Sequence, residues 1–303
     1  MRAPYIHVGY HRTASTFLQQ QVFTAMPLNC IVQPDLDELV MFEDFDRAAW
    51  LDRFERRHPI DPTRETIISH EMLSGTPEGE EPHRRARNAE RLRALFPDAR
   101  IIVVVRRQPD YVLSVYGYRV LIRGLETRSL ETFLAEHHDA FTESLQYDVL
   151  VQHYVELFGS SRVLVLPFEQ LAKDSDALIA RLLEFMSLSH PVHYSRDRVN
   201  ESTRDRRIIA LNRLVNLPFD LTLGELRRRG RIAHASYLRW ARPYFAFKER
   251  MLNPMLRRIA DSRRARLELP ASWLERMTPL FAASNRRLAT LSGIDLASYG
   301  YIT

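Results

Sequence analysis

Lysine is nearly missing from this chain. Of its 43 basic residues only Lys173 and Lys248 are lysine, and the other 41 are arginine. The bias is chain-wide, so an arginine standing where a lysine would be expected carries little information by itself. Cysteine is scarcer still. Cys30 is alone, which excludes an intrachain disulfide and fits a reducing compartment. Glycine numbers 10 in 303 residues; there is no low-complexity tract and no repeat at a fixed period. No apolar run approaches the ~20 residues of a membrane helix, and the opening MRAPYIHVGYHR lacks the apolar core of a signal peptide. The expectation is a soluble, unexported, cytoplasmic protein without a transmembrane segment, with peripheral membrane contact left open. A cluster of metal-ligand residues is also lacking. What is present is an apolar fraction of 45%, enough for a substantial core, and a net charge of +5. That balance is compatible with nucleic acid, an acidic polysaccharide or a phosphorylated cofactor, and chooses none of them.

Four stretches read as buried strands: PYIHVGY at the start, ETIISHE (Glu65–Glu71), ARIIVVVRR (Ala99–Arg107) and SRVLVLPFE (Ser161–Glu169). Each is short, rich in Ile, Val or Leu, and free of clean polar alternation, as parallel strands covered on both faces are. Helical patterns lie between them, which predicts a doubly wound α/β core over residues 1–190. After His190 the pattern is helical and arginine-rich, which predicts a cap over residues 191–303 within the same domain. In that cap Trp240, Tyr244 and Phe247 read either as core contacts of a helix or as the lining of a sugar or lipid site.

The first strand runs through YHRTASTFLQQQVF into a helix. A strand, a tight loop and a helix start point backbone N–H groups at one place, a ready anion site. Thr13, Ser15 and Thr16 add hydroxyls, and Arg12 adds a forked cation. An ordinary capped helix start, with Thr13 or Ser15 as the cap, would look the same. The nucleoside-triphosphate loop G-x-x-x-x-G-K-[ST] fits poorly. With Gly9 at its first glycine, Ser15 falls on the lysine, and no strand ends in a convincing metal-holding aspartate.

HRTASTFL resembles instead the P-[KR]-[ST]-G-T-[TS]-x-L loop of the sulfotransferases, which use 3′-phosphoadenosine 5′-phosphosulfate (PAPS) and release 3′-phosphoadenosine 5′-phosphate (PAP). The resemblance implies that Arg12, Thr13, Ala14, Ser15, Thr16 and Phe17 hold the 5′-phosphosulfate. Two positions depart from the pattern: Arg12 replaces lysine and Ala14 replaces glycine, the second mild if φ stays negative there. A second motif agrees. In VVVRRQPDYVLSVYGY, Arg106 ends a strand and Ser114 lies eight positions on in the next helix, the spacing of the family's 3′-phosphate site. Arg107 is the rival for Arg106 if the register slips by one. Glu169 reads as structural. RVNESTRDRR (198–207) resembles a V-N-x-S segment of bacterial members, and Arg204, Arg206 and Arg207 are candidates for a missing basic cofactor loop.

The family places its base at the end of the second strand. Here IISHEMLSG offers both His70 and Glu71. Alternation along a strand lets only one face the crevice, and the S-x-E-x-L-S pattern favours Glu71. His11 stands where the family often has proline and is expected to be structural or to touch the cofactor. The resemblance implies an α/β, P-loop-like three-layer fold with a central parallel sheet. It also implies transfer of a sulfuryl group from PAPS, without metal, to a hydroxyl of a carbohydrate, glycolipid or small hydroxylated metabolite, in a bacterium. No nucleic acid partner is expected. The alternatives are a P-loop nucleotide-dependent kinase and a non-catalytic binder of anionic polymer.

Overall fold

The computed structural model describes residues 3–34, 36, 39–40, 44–76, 83–122, 126–189, 192–195, 205–231, 233–255 and 266–303. The strands are β1 (Tyr5–Gly9), β2 (Asn29–Val32), β3 (Thr66–Ser69), β4 (Arg100–Val105) and β5 (Val163–Pro167). The helices in the first half are α1 (residues 15–25, one continuous run with a wide π turn in its middle), α2 (Arg47–Arg57), α3 (His83–Leu95) and α4 (Gln108–Leu121). Next come α5 (Leu130–Glu136), α6 (His138–Ser144), α7 (Tyr147–Phe158), α8 (Phe168–Lys173) and α9 (Ser175–Phe185). The last are α10 (Arg206–Phe219), α11 (His234–Phe247) and α12 (Ala271–Ser292). Among the described residues no helix is long and apolar enough to cross a membrane.

The chain divides into two compact units. The first holds residues 1–108, 139–199 and 275–303; the second holds residues 109–138 and 200–274. The boundary therefore differs from a core of 1–190 followed by a cap to the end. From residue 275 the chain rejoins the sheet unit, because α12 carries polar groups that match buried partners there. Asn285 exchanges side-chain hydrogen bonds with Gln108, and Arg287 Nε donates to Asp148 Oδ2 at 2.5 Å.

The first unit is a parallel sheet of five strands in the order β2-β3-β1-β4-β5, with helices on both faces in three layers. Ile6, Val8, Ile67 and Ile101 to Val105 are buried without alternation because both faces are covered. Leu18, Val22 and Phe23 of α1 pack with Ile179 and Leu182 of α9 over Ile67, Ile102 and Val104. The four expected strands form. The fifth, β2, is an edge strand of sequence NCIV whose Asn29 side chain bonds the loop at Asp61 and Arg64 instead of packing. Strands β3 and β4 flank β1 on opposite sides, so the winding reverses at β1. The carboxyl ends of these three strands form the edge where such sheets bind ligands.

The second unit has polar groups inside. Lys248 is fully buried, and its Nζ donates to Val120 O at 2.8 Å and to Asn216 Oδ1 at 2.5 Å. Asn216 Nδ2 and Asn253 Nδ2 also bond the carbonyls at the end of α4, Val120 and Leu121. A helix end leaves such carbonyls without intrahelical partners, and these side chains supply them. Burial pushes the Lys248 amine down to about 7. Its two acceptors match the two hydrogens of a neutral amine.

On the outside of this unit Leu214, Leu221, Trp240, Phe247 and Met251 are each more than half exposed. Trp240 and Phe247 are therefore not core contacts of their helix. Tyr244 is, stacked on Phe219 with ring centroids 4.7 Å apart and its hydroxyl on Val215 O at 2.9 Å. The 198–204 stretch with Arg204 lies outside the described residues; Arg206 and Arg207 open α10 as exposed side chains.

Candidate active site

The loop between β1 and α1 is built on unusual backbone. Arg12 and Ala14 both have φ in the left-handed region, at 61° and 63°. Left-handed residues set close together make the concave row of N–H groups that cups anions. Ala14 thus does not have the negative φ that would make its replacement of glycine mild. It adopts a conformation that costs an L-residue roughly 1–2 kcal/mol. It stands at the cap position of α1, and its side chain caps nothing, so the first N–H groups of the helix have no side-chain acceptor from it. Thr13 is buried and its hydroxyl donates back to Tyr10 O, which pins the turn. Ser15 is buried, and its hydroxyl has no partner at ordinary hydrogen-bond geometry among the described residues, though it is near enough to the Glu71 carboxylate to help keep it ionised. Thr16 is half-buried in the first turn of α1. Phe17 packs edge-on to Tyr194, with centroids 5.6 Å apart.

Beneath the loop lies a polar layer that sequence reasoning did not find. His7 of β1 is fully buried, with Nδ1 2.7 Å from Ser69 Oγ, and Gln19 Nε2 donates to the same hydroxyl at 3.0 Å. Burial holds the His7 imidazole down at about 4, against a weaker opposing pull from Glu71. Gly9 makes room for this layer. A Cβ there would lie 2.9 Å from the His7 ring and 3.0 Å from Ser15 Oγ. A histidine inside an otherwise apolar strand was the available signal.

The end of β3 carries the two base candidates, and the structure separates them. The backbone is still extended at His70 (φ −151°, ψ 126°) and turns into a short helical turn at Glu71. His70 Nδ1 accepts from Met72 N–H at 3.0 Å and caps that turn. Glu71 points back to the loop, its Oε2 3.2 Å from His11 Nδ1. His11 Nε2 lies 3.1 Å from Gly75 O. Ser74 Oγ reaches Gly9 O at 3.0 Å and Glu71 O at 2.9 Å, fastening the turn to the end of β1. Burial works to raise the Glu71 carboxyl, but hydrogen bonding and charge from His11 outweigh it, with smaller help from Ser15 and His7, and the net is below the ordinary value.

At the end of β4 the two arginines part. Arg106 is buried; its Nη1 donates to Arg12 O at 2.7 Å, and its guanidinium lies 4.4 Å from the centre of the Phe168 ring. Its own carbonyl accepts from Tyr147 Oη at 2.7 Å. Arg107 goes elsewhere. Its N–H donates to Glu169 Oε1 at 3.0 Å and its Nε lies 3.6 Å from the same oxygen. Burial raises the Glu169 carboxyl above its ordinary value, opposed chiefly by the Arg107 N–H. Within the first unit, then, Arg106 joins the loop, and Arg107 pairs with Glu169 as a strut. Ser114 is fully buried on α4, in the second unit. Among the described residues no group of His, Cys, Asp or Glu is arranged to hold a metal ion.

Residues 4–191 match a protein-family model described as "Sulfotransferase family". A sulfotransferase from Alicyclobacillus acidocaldarius superposes with a TM-score of 0.57 at 17% identity, covering 99% of each chain. At that identity the likeness speaks for the fold. A sulfotransferase domain from the curacin biosynthetic pathway gives a TM-score of 0.42 at 15% identity, over 63% of this chain and 76% of that one. A mouse sulfotransferase complexed with PAP gives 0.37 at 15% identity, over 85% and 89%. No curated protein sequence matches the chain.

Proposed function

Because the chain belongs to the sulfotransferase family, we propose that it moves a sulfuryl group from PAPS to a hydroxyl of a carbohydrate, glycolipid or small hydroxylated metabolite in the cytoplasm. The donor substrate supplies an activated sulfuryl group on a 5′-phosphate. The loop from Arg12 to Phe17 holds that end, through backbone N–H groups, the hydroxyls of Thr13, Ser15 and Thr16, and the Arg12 cation. The start of α1 supports this assignment, since Ala14 offers its first N–H groups no side-chain acceptor and an anion would supply one. On the family's spacing, Arg106 at the end of β4 takes the 3′-phosphate.

Glu71 is the base. The observation that carries this is its carboxylate, fixed beside the loop by His11, while His70 spends a ring nitrogen on the Met72 N–H. The acceptor oxygen attacks sulfur in line as its proton passes to Glu71. The S–O bond to the 5′-phosphate breaks, and PAP leaves with charge that Arg12 and the loop stabilise. An arginine suits the leaving side because it stays protonated and acts by charge and fork geometry alone.

The test is incubation with labelled PAPS and a panel of hydroxylated acceptors, alongside Glu71→Gln and His70→Ala. Transfer that survives in both variants removes the assignment of the base. Stabilisation of the protein by ATP–Mg²⁺ and not by PAP removes the sulfotransferase reading in favour of a kinase.

A further inference from the structure

His11 stands where an ordinary turn residue would serve, and its two ring nitrogens face incompatible demands. Nε2 lies 3.1 Å from the carbonyl of Gly75. A carbonyl can only accept, so Nε2 carries a hydrogen. In a neutral imidazole the other nitrogen is then a bare lone pair. That nitrogen, Nδ1, lies 3.2 Å from Glu71 Oε2. A bare nitrogen against an ionised carboxylate would set two lone pairs face to face in a site where both side chains are mostly buried. The contact requires one more proton between them.

We propose that His11 carries this proton on Nδ1, as an imidazolium, and is the positioning residue that keeps Glu71 ionised and aimed at the phosphate loop. The inference rests on Glu71 as the base of the reaction proposed above. The surrounding groups favour the proton on His11. The carboxyl of Glu71 is held below its ordinary value, with His11 the main cause opposing burial. From β1, His7 stays neutral at about 4 and adds no competing proton. From the loop, Arg12 is a permanent cation, and Ser15 helps hold the carboxylate. From the turn after β3 come His70, which caps Met72, and the Gly75 carbonyl. From α3, Arg85 packs against Gly75, its Cγ 3.3 Å from where a Cβ would sit. From β4, Arg106 bonds the Arg12 carbonyl.

The ion pair gives the loop a cation and the base a fixed orientation at once. When the acceptor hydroxyl yields its proton to Glu71, the new O–S bond forms and the S–O bond to the departing 5′-phosphate breaks. The proton stays on the carboxyl until solvent removes it, and His11 keeps its own.

Two measurements on the full chain test this. The first needs no activity: nitrogen NMR of the His11 ring at about pH 7.5, above the ~6.5 of a free imidazole. Both nitrogens are expected to give protonated signals. In Glu71→Gln the ring is expected to revert to a neutral form with only Nε2 protonated. An unprotonated Nδ1 signal in the wild-type protein overturns the proposal. The second is the pH profile of kcat/KM in His11→Gln. Losing the cation raises the Glu71 carboxyl, so the acidic limb is expected to move to higher pH by about one unit or more. A limb that stays in place overturns the positioning role, whereas a merely structural histidine would lower the rate at every pH alike. If PAP fails to bind and no acceptor is sulfated while the ring signals are as expected, the sulfotransferase reading fails and the protonated pair stands.

Discussion

The two units treat polarity in opposite ways. In the sheet unit, polar side chains gather under one loop: His7, Ser69 and Gln19 below it, Glu71 and His11 beside it, Arg106 across from it. In the helical unit the one buried amine, Lys248, serves a helix end, and large apolar side chains such as Trp240 and Leu214 face outward. We read the polar groups around the loop as arranged for a ligand, whereas Gln108 with Asn285 and Asp148 with Arg287, elsewhere in the first unit, and the polar groups of the second unit are arranged for each other. Substitutions around the loop should therefore disturb chemistry more than stability, and those in the second unit the reverse.

The largest effect is expected at Glu71. Glu71→Gln should lower turnover by ~10²–10⁴-fold, the usual worth of a positioned base, while PAP affinity and melting temperature stay near those of the wild type. A comparable loss in His70→Ala would blur the line between base and cap. Next is Arg106→Ala, expected to weaken PAP binding by about 1.5–3 kcal/mol in titration calorimetry. Arg107→Ala should leave that affinity alone and lower the melting temperature, because its partner is Glu169. Third, Ala14→Gly should raise stability by about 1 kcal/mol in denaturant unfolding by relieving the left-handed alanine. This is the one place where the loop's own strain is read directly.

The second unit supplies the smaller effects. Lys248 has a folded value of about 7, against an ordinary 10.5 in the unfolded chain. Between these the unfolded state binds more protons, so this residue makes stability rise with pH across that window, and the gain is absent below it. The melting temperature of wild type minus Lys248→Met should climb from pH 7 towards pH 10. A flat difference, or a change in turnover larger than the change in stability, would break the contrast between the units. Smallest of all, Trp240→Ser and Phe247→Ser should shift stability by no more than ~0.5 kcal/mol, because these side chains are exposed.

Much of the sheet unit is legible in the sequence, because each buried strand advertises itself as an unbroken apolar run. β2 is not, since its order comes from the Asn29 side chain gripping a distant loop, and asparagine is a common loop residue. The return of α12 to the sheet is hidden for the same reason. Its decisive contacts are polar pairs such as Asn285 with Gln108, 177 positions apart. At the site, the motif spacing locates the loop and the arginine of β4. The choice between His70 and Glu71 hinges on where extended backbone ends, one residue that alternation cannot fix. The roles of His7 and His11 depend on partners some sixty residues away, Ser69 and Glu71, and no local pattern records them. The sign of φ at Ala14 was open as well, since alanine alone argues for the negative value that the loop does not adopt.

The near-absence of lysine has a practical side. With Lys248 sealed inside the helical unit, Lys173 on α8 is the one lysine that an amine-directed reagent can reach in the native fold. It stands at the end of its helix, its Nζ 5.3 Å from the centre of the Tyr299 ring, on an element apart from the β1 loop and the turn after β3. Dyes, crosslinkers or surface attachment through lysine should therefore mark one defined address. Unfolding would reveal itself as the appearance of a second.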